Sequence, residues 1–280
     1  MTYIEAIIIA IVEGLTEFLP VSSTGHMIIT EALLGMKETD FVKAFTVIIQ
    51  FGAILSVVVL YWRRFLFPPV VGDGRSRWQT LVDFYSRLIV AFIPAAIVGV
   101  LLGDFIDSML GSVTVVAVML VLGGVFMLFV DRWFNNDDKE RPVTYRRAFM
   151  IGTFQCIAAL LPGTSRSMCT IVGGMQQGLS RKRATEFSFF LAVPTMFGAT
   201  VKKVYDLVKA GGVEVLTQDN NLMVLLVGNV VAFLVALAAI KFFIHFVAKY
   251  GFKAFGWYRI IVGAILLLLP LLGITLKMVG

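Results

Sequence analysis

Two carboxylates, a hydroxyl group and an imidazole fall within residues 13–26 of this sequence. Glu13 and Glu17 are four residues apart, so their side chains share one face of a helix. Ser23 and His26 are three residues apart, a spacing that suits a hydroxyl nucleophile beside a general base. The segment therefore predicts acid–base or nucleophilic chemistry. A solvated pair of glutamates and a structural histidine are the alternatives.

The glutamate pair also predicts a bound cation. Both residues lie near the C-terminal end of a predicted helix, where the helix dipole disfavours negative charge. Their repulsion is relieved if one is protonated, if Arg166 compensates, or if a cation bridges them. Because oxygen ligands suit hard divalent ions, Glu13 and Glu17 are the predicted ligands of Mg²⁺ or Ca²⁺.

The same unusual segment occurs a second time in the chain. Residues 155–168 align with residues 13–26, and Pro162 follows Pro20 by 142 residues. Each copy has a Leu-Pro pair followed by a hydroxyl-rich turn that contains glycine. The second copy lacks the glutamates but adds Arg166, whose planar guanidinium suits phosphate. The first copy is therefore predicted to be catalytic and the second to bind an anion, unless Arg166 is only a structural partner for a glutamate.

Each Leu-Pro turn is predicted to end one short helix and to start another. The candidate N-caps of the restarted helices are Ser22, Ser23 or Thr24 in the first copy and Thr164 or Ser165 in the second. Both N-termini would present free N–H groups and a positive dipole end, which favour phosphate binding. The predicted substrate-binding residues surround these N-termini and are Ser22, Thr24, Gly163, Thr164, Ser165, Ser167 and Thr170.

The composition predicts an integral membrane protein. Of the 280 residues 59% are hydrophobic, well above the share usual in soluble domains, and the mean hydropathy is +0.90. The net charge of +6 does not indicate nucleic-acid binding, because the basic residues lie in short loops between apolar runs of membrane-spanning length. Cys156 and Cys169 fall in apolar stretches and are expected in the core rather than in a disulfide or a metal site.

The expected fold is an all-α polytopic membrane protein. It is one domain of residues 1–280, built from two repeats of about 1–140 and 141–280. Pro20 and Pro162 interrupt helical hydrogen bonding, and the apolar arm before Pro162 has only about 14 of the ~20 residues needed to span. Each repeat is therefore expected to begin with a re-entrant helix pair and to continue with three transmembrane helices. Such irregular backbone is tolerated where protein buries it or water reaches it.

The basic residues predict opposite orientations for the two repeats. With re-entrant pairs, most of the 24 basic residues reach one face, which is then cytoplasmic. The residues expected on this face are Arg63, Arg64, Arg75, Arg77, Arg87, Arg132, Lys139, Arg141, Arg146, Arg147, Arg181, Lys182, Arg183, Lys241, Lys249, Lys253 and Arg259. Those expected on the other face are Lys37, Lys43, Lys202, Lys203, Lys209 and Lys277. The two turns then enter the membrane from opposite faces, as in an inverted-topology repeat.

Residues 13–26 and 161–167 together resemble the undecaprenyl pyrophosphate phosphatase family, also called the bacitracin-resistance family. Supporting matches are residues 50–54, 178–181 and 186–189. The resemblance implies hydrolysis of a polyprenyl pyrophosphate lipid to its monophosphate and inorganic phosphate, which recycles the carrier for bacterial cell-wall synthesis. It also implies a divalent cation and a site open to the outer side of the cytoplasmic (inner) membrane. Carried over by position, the expected functional residues are Glu13, Glu17, Ser23, His26 and Arg166.

The residues leave three alternatives open. Ser23 activated by His26 could attack phosphorus, or His26 or a carboxylate could activate water. A transporter or lipid flippase is the alternative function, because inverted repeats and broken helices are also typical of transporters. The small residues Gly123 and Gly124 predict close helix packing, either inside one subunit or between the subunits of a homodimer.

Overall fold

The described part of the chain folds into helices without β-strands. The computed structural model describes residues 1–37, 39–69, 76–110, 112–134, 141–209, 213–218 and 220–272. Its helices are α1 (Tyr3–Thr16), α2 (Ser23–Leu33), α3 (Asp40–Leu60), α4 (Trp62–Leu66), α5 (Arg77–Leu101), α6 (Gly103–Leu110), α7 (Val113–Trp133), α8 (Tyr145–Leu160), α9 (Arg166–Gln176), α10 (Arg181–Lys209), α11 (Val213–Thr217), α12 (Asn221–Tyr250) and α13 (Lys253–Leu268), with a 3₁₀ turn at Leu269–Leu272. Three of the basic residues assigned to a face, Arg75, Lys139 and Lys277, lie outside the described residues.

Six of the described helices are long and apolar enough to cross a membrane. They are α3, α5, α7, α10, α12 and α13 with its continuation to Leu271. Three of these helices follow each Leu-Pro turn. Large apolar side chains on them remain exposed, for example Ile89 at 55% and Leu226 at 56%. So much exposed apolar surface is stable against lipid tails rather than water. The prediction of an all-α polytopic membrane protein is confirmed.

Four helices next to the turns are too short to cross the membrane. α1 and α2 have 14 and 11 residues, and α8 and α9 have 16 and 11. At 1.5 Å per residue the longest measures about 24 Å, less than the ~30 Å hydrocarbon core. Thr2 and Glu5 form a capping box that starts α1, and Thr144 caps α8. Each pair is joined by its Leu-Pro turn.

The first short helix of each half packs against a long helix of the other half. α1 packs against α12 of the second half, and α8 packs against α5 of the first. Glycine permits both contacts: a Cβ at Gly14 would lie 2.8 Å from the Ala232 carbonyl oxygen, and one at Gly152 would overlap the backbone of Ala91. α3 also packs on α10, and α7 on α13. In the last two pairs, corresponding helices of the two halves contact each other. The Ser167 hydroxyl at the start of α9 donates to the Leu19 carbonyl of the first turn at 2.8 Å, so the two turn regions are also in contact.

Arg259 is buried inside the helix bundle, which corrects its assignment to a cytoplasmic loop. α13 begins before this position, so Arg259 belongs to the span, where its side chain is 0% exposed. Its Nη1 donates to the carbonyl oxygens of Pro20 and Thr164 at 3.0 and 3.1 Å. Its Nη2 donates to those of Gly163 and Met119 at 2.9 and 3.0 Å. One guanidinium group therefore binds both turns and α7.

Two glycines of α7 make room for this arginine and for close packing of α13. A Cβ at Gly123 would overlap the Arg259 guanidinium. A Cβ at Gly124 would lie 2.7 Å from the Gly256 carbonyl oxygen. These small residues therefore serve packing within one subunit. A homodimer stays a prediction.

Replacing Arg259 with methionine should strongly destabilise the fold. The variant removes four hydrogen bonds to buried backbone, and each group left unsatisfied costs about 1–3 kcal/mol. We expect a lower melting temperature in detergent, followed with a thiol-reactive dye because Cys169 is only 4% exposed. Arg132→Met, at the exposed end of α7, is the control. An unchanged melting temperature for Arg259→Met would contradict the role given to this guanidinium.

Candidate active site

Two serines with a left-handed backbone immediately precede the helices that follow the turns. Ser22 and Ser165 have φ values of 73° and 78°. This region costs a non-glycine residue about 1–3 kcal/mol and is concentrated at functional sites. The two hydroxyl oxygens accept from the N–H groups of Gly25 and Met168, each at 3.3 Å, and so cap α2 and α9. Of the candidate caps, the structure uses these two serines.

The caps show which residues of the two turns correspond. Ser165 follows Ser22 by 143 residues, whereas the turn prolines are 142 apart, because the second turn contains one additional residue. Ser23 and Arg166, the first residues of α2 and α9, therefore occupy equivalent positions. The ungapped alignment of the two segments pairs Ser23 with Ser165 instead.

Glu17 joins the two halves at these equivalent positions. Its Oε1 accepts from Nη2 and Nε of Arg166 at 3.1 and 3.4 Å. Its Oε2 accepts a hydrogen bond from the Ser23 hydroxyl. Glu17 is 7% exposed, so both contacts are largely shielded from water. The structure thus brings Glu17, Ser23 and Arg166 together. It also contains an ion pair between Arg166 and a glutamate, Glu17, which was the alternative role predicted for this arginine.

A cavity of about 230 Å³ lies beside this cluster. The predicted site residues that line it are Glu17, Ser22, Ser23, Thr24, Gly163, Ser165 and Arg166. Gln50 of α3 and Thr195 of α10 line it as well, and the sequence motifs do not predict a site role for either. The sequence feature that could have identified Gln50 and Thr195 is a polar side chain inside an apolar span, which often has a functional role. The cavity offers hydroxyl, amide, carboxylate and guanidinium groups to a polar ligand.

Glu13 lies one helical turn before Glu17 and is completely buried. Neither of its carboxylate oxygens has a hydrogen-bond partner among the described residues. Because an unpaired buried carboxylate is unfavourable, this group requires a cation or a proton. Oxygen donors of this kind fit a hard divalent cation. No cluster of three or more His, Cys, Asp or Glu side chains occurs in the described ranges, so these residues would supply only part of its coordination shell.

His26 forms two hydrogen bonds that lead away from Ser23. Its Nδ1 lies 2.7 Å from the Ser22 carbonyl oxygen, and because a carbonyl only accepts, Nδ1 carries the proton. In the neutral ring, Nε2 then accepts from the Tyr258 hydroxyl at 2.7 Å. Ser23 donates to Glu17, and His26 is not among the residues that line the cavity. The structure therefore does not form the predicted Ser23–His26 pair.

Three predicted substrate-binding residues, Thr164 of the second turn with Ser167 and Thr170 of α9, face the protein instead of the cavity. Thr164 Oγ1 donates to a carbonyl of its own turn at 2.7 Å. Ser167 Oγ donates to the Leu19 carbonyl oxygen at 2.8 Å, which ties the second turn to the first. Thr170 Oγ1 donates to the first carbonyl of α9 at 2.9 Å. Short hydroxyl side chains readily satisfy nearby backbone in this way. Thr164 and Ser167 thereby stabilise the turns, and Thr170 bonds within α9.

Tyr258 and Arg259 contact the turn regions, and the sequence motifs do not predict this role for either residue. They are consecutive residues of α13: Tyr258 reaches the first turn through His26, and Arg259 contacts both turns directly. An arginine at the edge of an apolar run has the same appearance as a loop charge. The one available signal is physical: an arginine inside a transmembrane span costs free energy and usually has a partner that offsets this cost.

The whole chain is similar to proteins of one family. The family model described as bacitracin resistance protein BacA matches residues 6–265. An undecaprenyl-diphosphatase of Porphyromonas gingivalis is 60% identical over 281 aligned positions, which cover 99% of each chain. Undecaprenyl-diphosphatases of Flavobacterium psychrophilum and Bdellovibrio bacteriovorus are 57% and 47% identical, with coverage of 96% and 100% of both chains compared. The chain therefore belongs to the BacA bacitracin resistance protein family.

Proposed function

We propose that the protein hydrolyses undecaprenyl diphosphate to undecaprenyl phosphate and inorganic phosphate. The observation that carries this proposal is the contact of Glu17 with both the Ser23 hydroxyl and the Arg166 guanidinium, beside a cavity at two helix N-termini. These groups suit phosphoryl transfer. The names of the relatives support the same activity. The product would be the lipid carrier recycled for bacterial cell-wall polymers, and this recycling would confer bacitracin resistance.

The proposed site lies near the middle of the cytoplasmic membrane and opens to its outer side. The pairs α1–α2 and α8–α9 would be re-entrant, because each helix is too short to cross and each turn carries polar backbone. The exchanged packing of α1 and α8 supports an inverted-topology repeat, in which the pairs enter from opposite faces. The face that carries most basic residues would be cytoplasmic.

The diphosphate would bind where the two helix N-termini meet. The first N–H groups of α2 and α9 supply positive dipole ends, and Arg166 supplies a permanent planar charge. The substrate phosphate would compete with Glu17 for the Arg166 guanidinium, so the ion pair keeps the arginine in place before substrate binds. The polyprenyl chain would extend along the exposed apolar faces of the spans into the lipid.

Ser23 is the proposed nucleophile and Glu17 its proton acceptor. The Ser23 oxygen would attack the terminal phosphorus while its proton passes to Glu17 Oε2, which already accepts its hydrogen bond. The bond between phosphorus and the bridging oxygen breaks, and undecaprenyl phosphate leaves. Water then attacks the phosphoserine and gives a proton to Glu17, while Glu17 returns its first proton to the serine oxygen and inorganic phosphate is released. Glu17 finally loses the remaining proton to solvent, which restores the starting carboxylate. Arg166 would stabilise charge on the phosphoryl oxygens, and His26 would position the turn through Ser22.

Glu13 and Glu17 are the residues that would hold a divalent cation, Mg²⁺ or Ca²⁺. The buried, unpartnered oxygens of Glu13 support this assignment. Such an ion would offset negative charge on the leaving phosphate. The rest of its coordination shell would come from substrate oxygens and water, as is usual for Mg²⁺.

Replacing Arg166 with alanine should lower the rate of phosphate release from undecaprenyl diphosphate by about 10²–10³-fold, the usual cost of losing a transition-state donor. Arg166→Lys should recover only part of the rate, because lysine cannot bind phosphate with a planar pair of donors. Arg64→Ala, at an exposed position of α4, is the control. If Arg166→Ala kept its melting temperature and near-normal activity, the anion-binding role would be wrong.

Ser23→Ala should lower activity on the order of 10⁴-fold or more, as the loss of a serine nucleophile does. Wild-type protein quenched during turnover should carry phosphate on Ser23, which mass spectrometry of its peptides would detect. Ser56→Ala removes a buried hydroxyl of α3 that donates to the Ala53 carbonyl at 2.6 Å, and it should keep its activity. Substantial activity in Ser23→Ala would instead indicate direct attack by water.

Glu13→Gln should raise the Mg²⁺ concentration needed for half-maximal activity by about tenfold or more, because it removes a charged ligand. Mn²⁺ binding, followed by electron paramagnetic resonance, should weaken in parallel. Without metal the variant should be at least as stable as the wild type, since glutamine carries no buried charge. Asp206→Asn, whose carboxylate is 52% exposed, is the control. Equal metal requirements in Glu13→Gln and the wild type would exclude Glu13 as a ligand.

A further inference from the structure

A second cavity, of about 390 Å³, lies at the ends of α8 and α9 that are remote from the Leu-Pro turn. The described residues that line it precede or begin α8 and end or follow α9: Arg141, Thr144, Arg146, Arg147, Gln176, Gln177 and Gly178. Of these described lining residues three are cationic and none is acidic. The cavity therefore has the chemistry of an anion site, and it has no role in the proposed hydrolysis.

The three arginines of this cavity have no carboxylate partner among the residues that the structure describes. By contrast, Arg181, at the start of α10, pairs with Asp131 at 2.9 Å. Like charges gathered around one concavity raise its positive potential and the local concentration of anions. Guanidinium groups also match the geometry of phosphate oxygens. The charge and the donor type together indicate a phosphate ligand.

Hydrogen bonds to backbone fix the Arg147 side chain and the Arg141 main chain beside the cavity. Arg147 Nη1 donates to the Pro142 carbonyl oxygen at 2.6 Å, and Arg183 donates to the Arg141 carbonyl oxygen at 3.0 Å. Gly178 has a φ of 84°, and a Cβ there would lie 2.7 Å from Arg141 Nη1. The absence of a side chain at Gly178 thus lets the Arg141 guanidinium lie against the cavity wall. A donor that is already ordered, as Arg147 is, loses less entropy when it binds a ligand.

The side chains next to the cavity indicate the level of the membrane surface. Tyr145, between two lining residues, is 47% exposed, and Phe149, one helical turn further along α8, is 49% exposed. Tyrosine is typical of the interface between lipid tails and water, and an exposed phenylalanine beyond it suits the tails. Basic pockets between helices at this level bind the headgroups of anionic lipids.

We propose that this cavity binds the phosphate group of an anionic phospholipid. Arg141, Arg146 and Arg147 contact the phosphate, and the amides of Gln176 and Gln177 contact the rest of the headgroup. The acyl chains lie along the exposed side of α8. A free phosphate ion has the same charge and acceptor atoms without the chains, and it is the competing source of the ligand.

The lipid specificity of the full-length protein tests this proposal. We would measure its melting temperature in neutral detergent with added phosphatidylglycerol, phosphatidylcholine or inorganic phosphate. Phosphatidylglycerol should stabilise the wild type, and phosphatidylcholine should not, because arginines repel its choline cation. The variant with Arg141→Gln, Arg146→Gln and Arg147→Gln should lose this effect, with roughly fivefold weaker lipid binding for each arginine removed.

A matched variant separates the cavity from general surface charge. Arg63→Gln, Arg64→Gln and Arg77→Gln together remove the same charge from exposed positions that do not line the cavity. This variant should keep its preference for phosphatidylglycerol, although long-range attraction to the lipid falls.

Three results would overturn the proposal. Equal losses in the two triple variants would mean that surface charge alone attracts the lipid. Stabilisation by inorganic phosphate equal to that by phosphatidylglycerol would assign the cavity to a free ion. If the cavity variant did not fold, native mass spectrometry of the wild type would decide: preferential retention of phosphatidylglycerol supports the proposal, and equal retention of both lipids overturns it.

Discussion

The buried guanidinium group of Arg259 is the interaction on which the geometry of the site depends. It donates to carbonyl oxygens of both Leu-Pro turns and of α7. A buried cation is unfavourable unless its donors are satisfied, and the irregular backbone of a turn is unfavourable unless its acceptors are satisfied. The four Nη hydrogen bonds of Arg259 therefore satisfy carbonyls of both turns and of α7, while its buried Nε has no partner among the described residues. Gly123 leaves the space in α7 that the guanidinium occupies.

With the turns held in this way, each half of the chain contributes a different part of the site. The first half supplies the carboxylates and Ser23, and the second supplies Arg166 at the equivalent helix position. Glu17 contacts both, so neither half alone contains the assembled cluster. Ser22 and Ser165 retain strained backbone conformations there, which fits a site whose donors are ordered before substrate binds. The exchange of α1 and α8 between the halves is the packing that makes this contact geometrically available.

Much of this protein follows from local patterns in the sequence. The lengths of the apolar runs determine the six spans, because a helix must cover the hydrocarbon core. The two Leu-Pro turns determine where the short helices end, since proline cannot continue the hydrogen-bond pattern. The two repeated segments, with the family resemblance that they carry, also indicate Glu13, Glu17, Ser23, His26 and Arg166 as the functional residues. Residue type, spacing, the cost of burying polar groups and that resemblance were sufficient for these conclusions.

Only the tertiary structure decided which of these groups touch. Spacing along one helix predicts His26 as the partner of Ser23. In the structure the Ser23 hydroxyl instead donates to Glu17, and the His26 imidazole forms hydrogen bonds with Ser22 and Tyr258. The sequence likewise could not distinguish a loop arginine from Arg259, whose acceptors come from three distant segments. The physical reason is common to both cases. A local pattern constrains residues within a few turns of one helix, whereas a hydrogen bond between helices depends on how every intervening element packs.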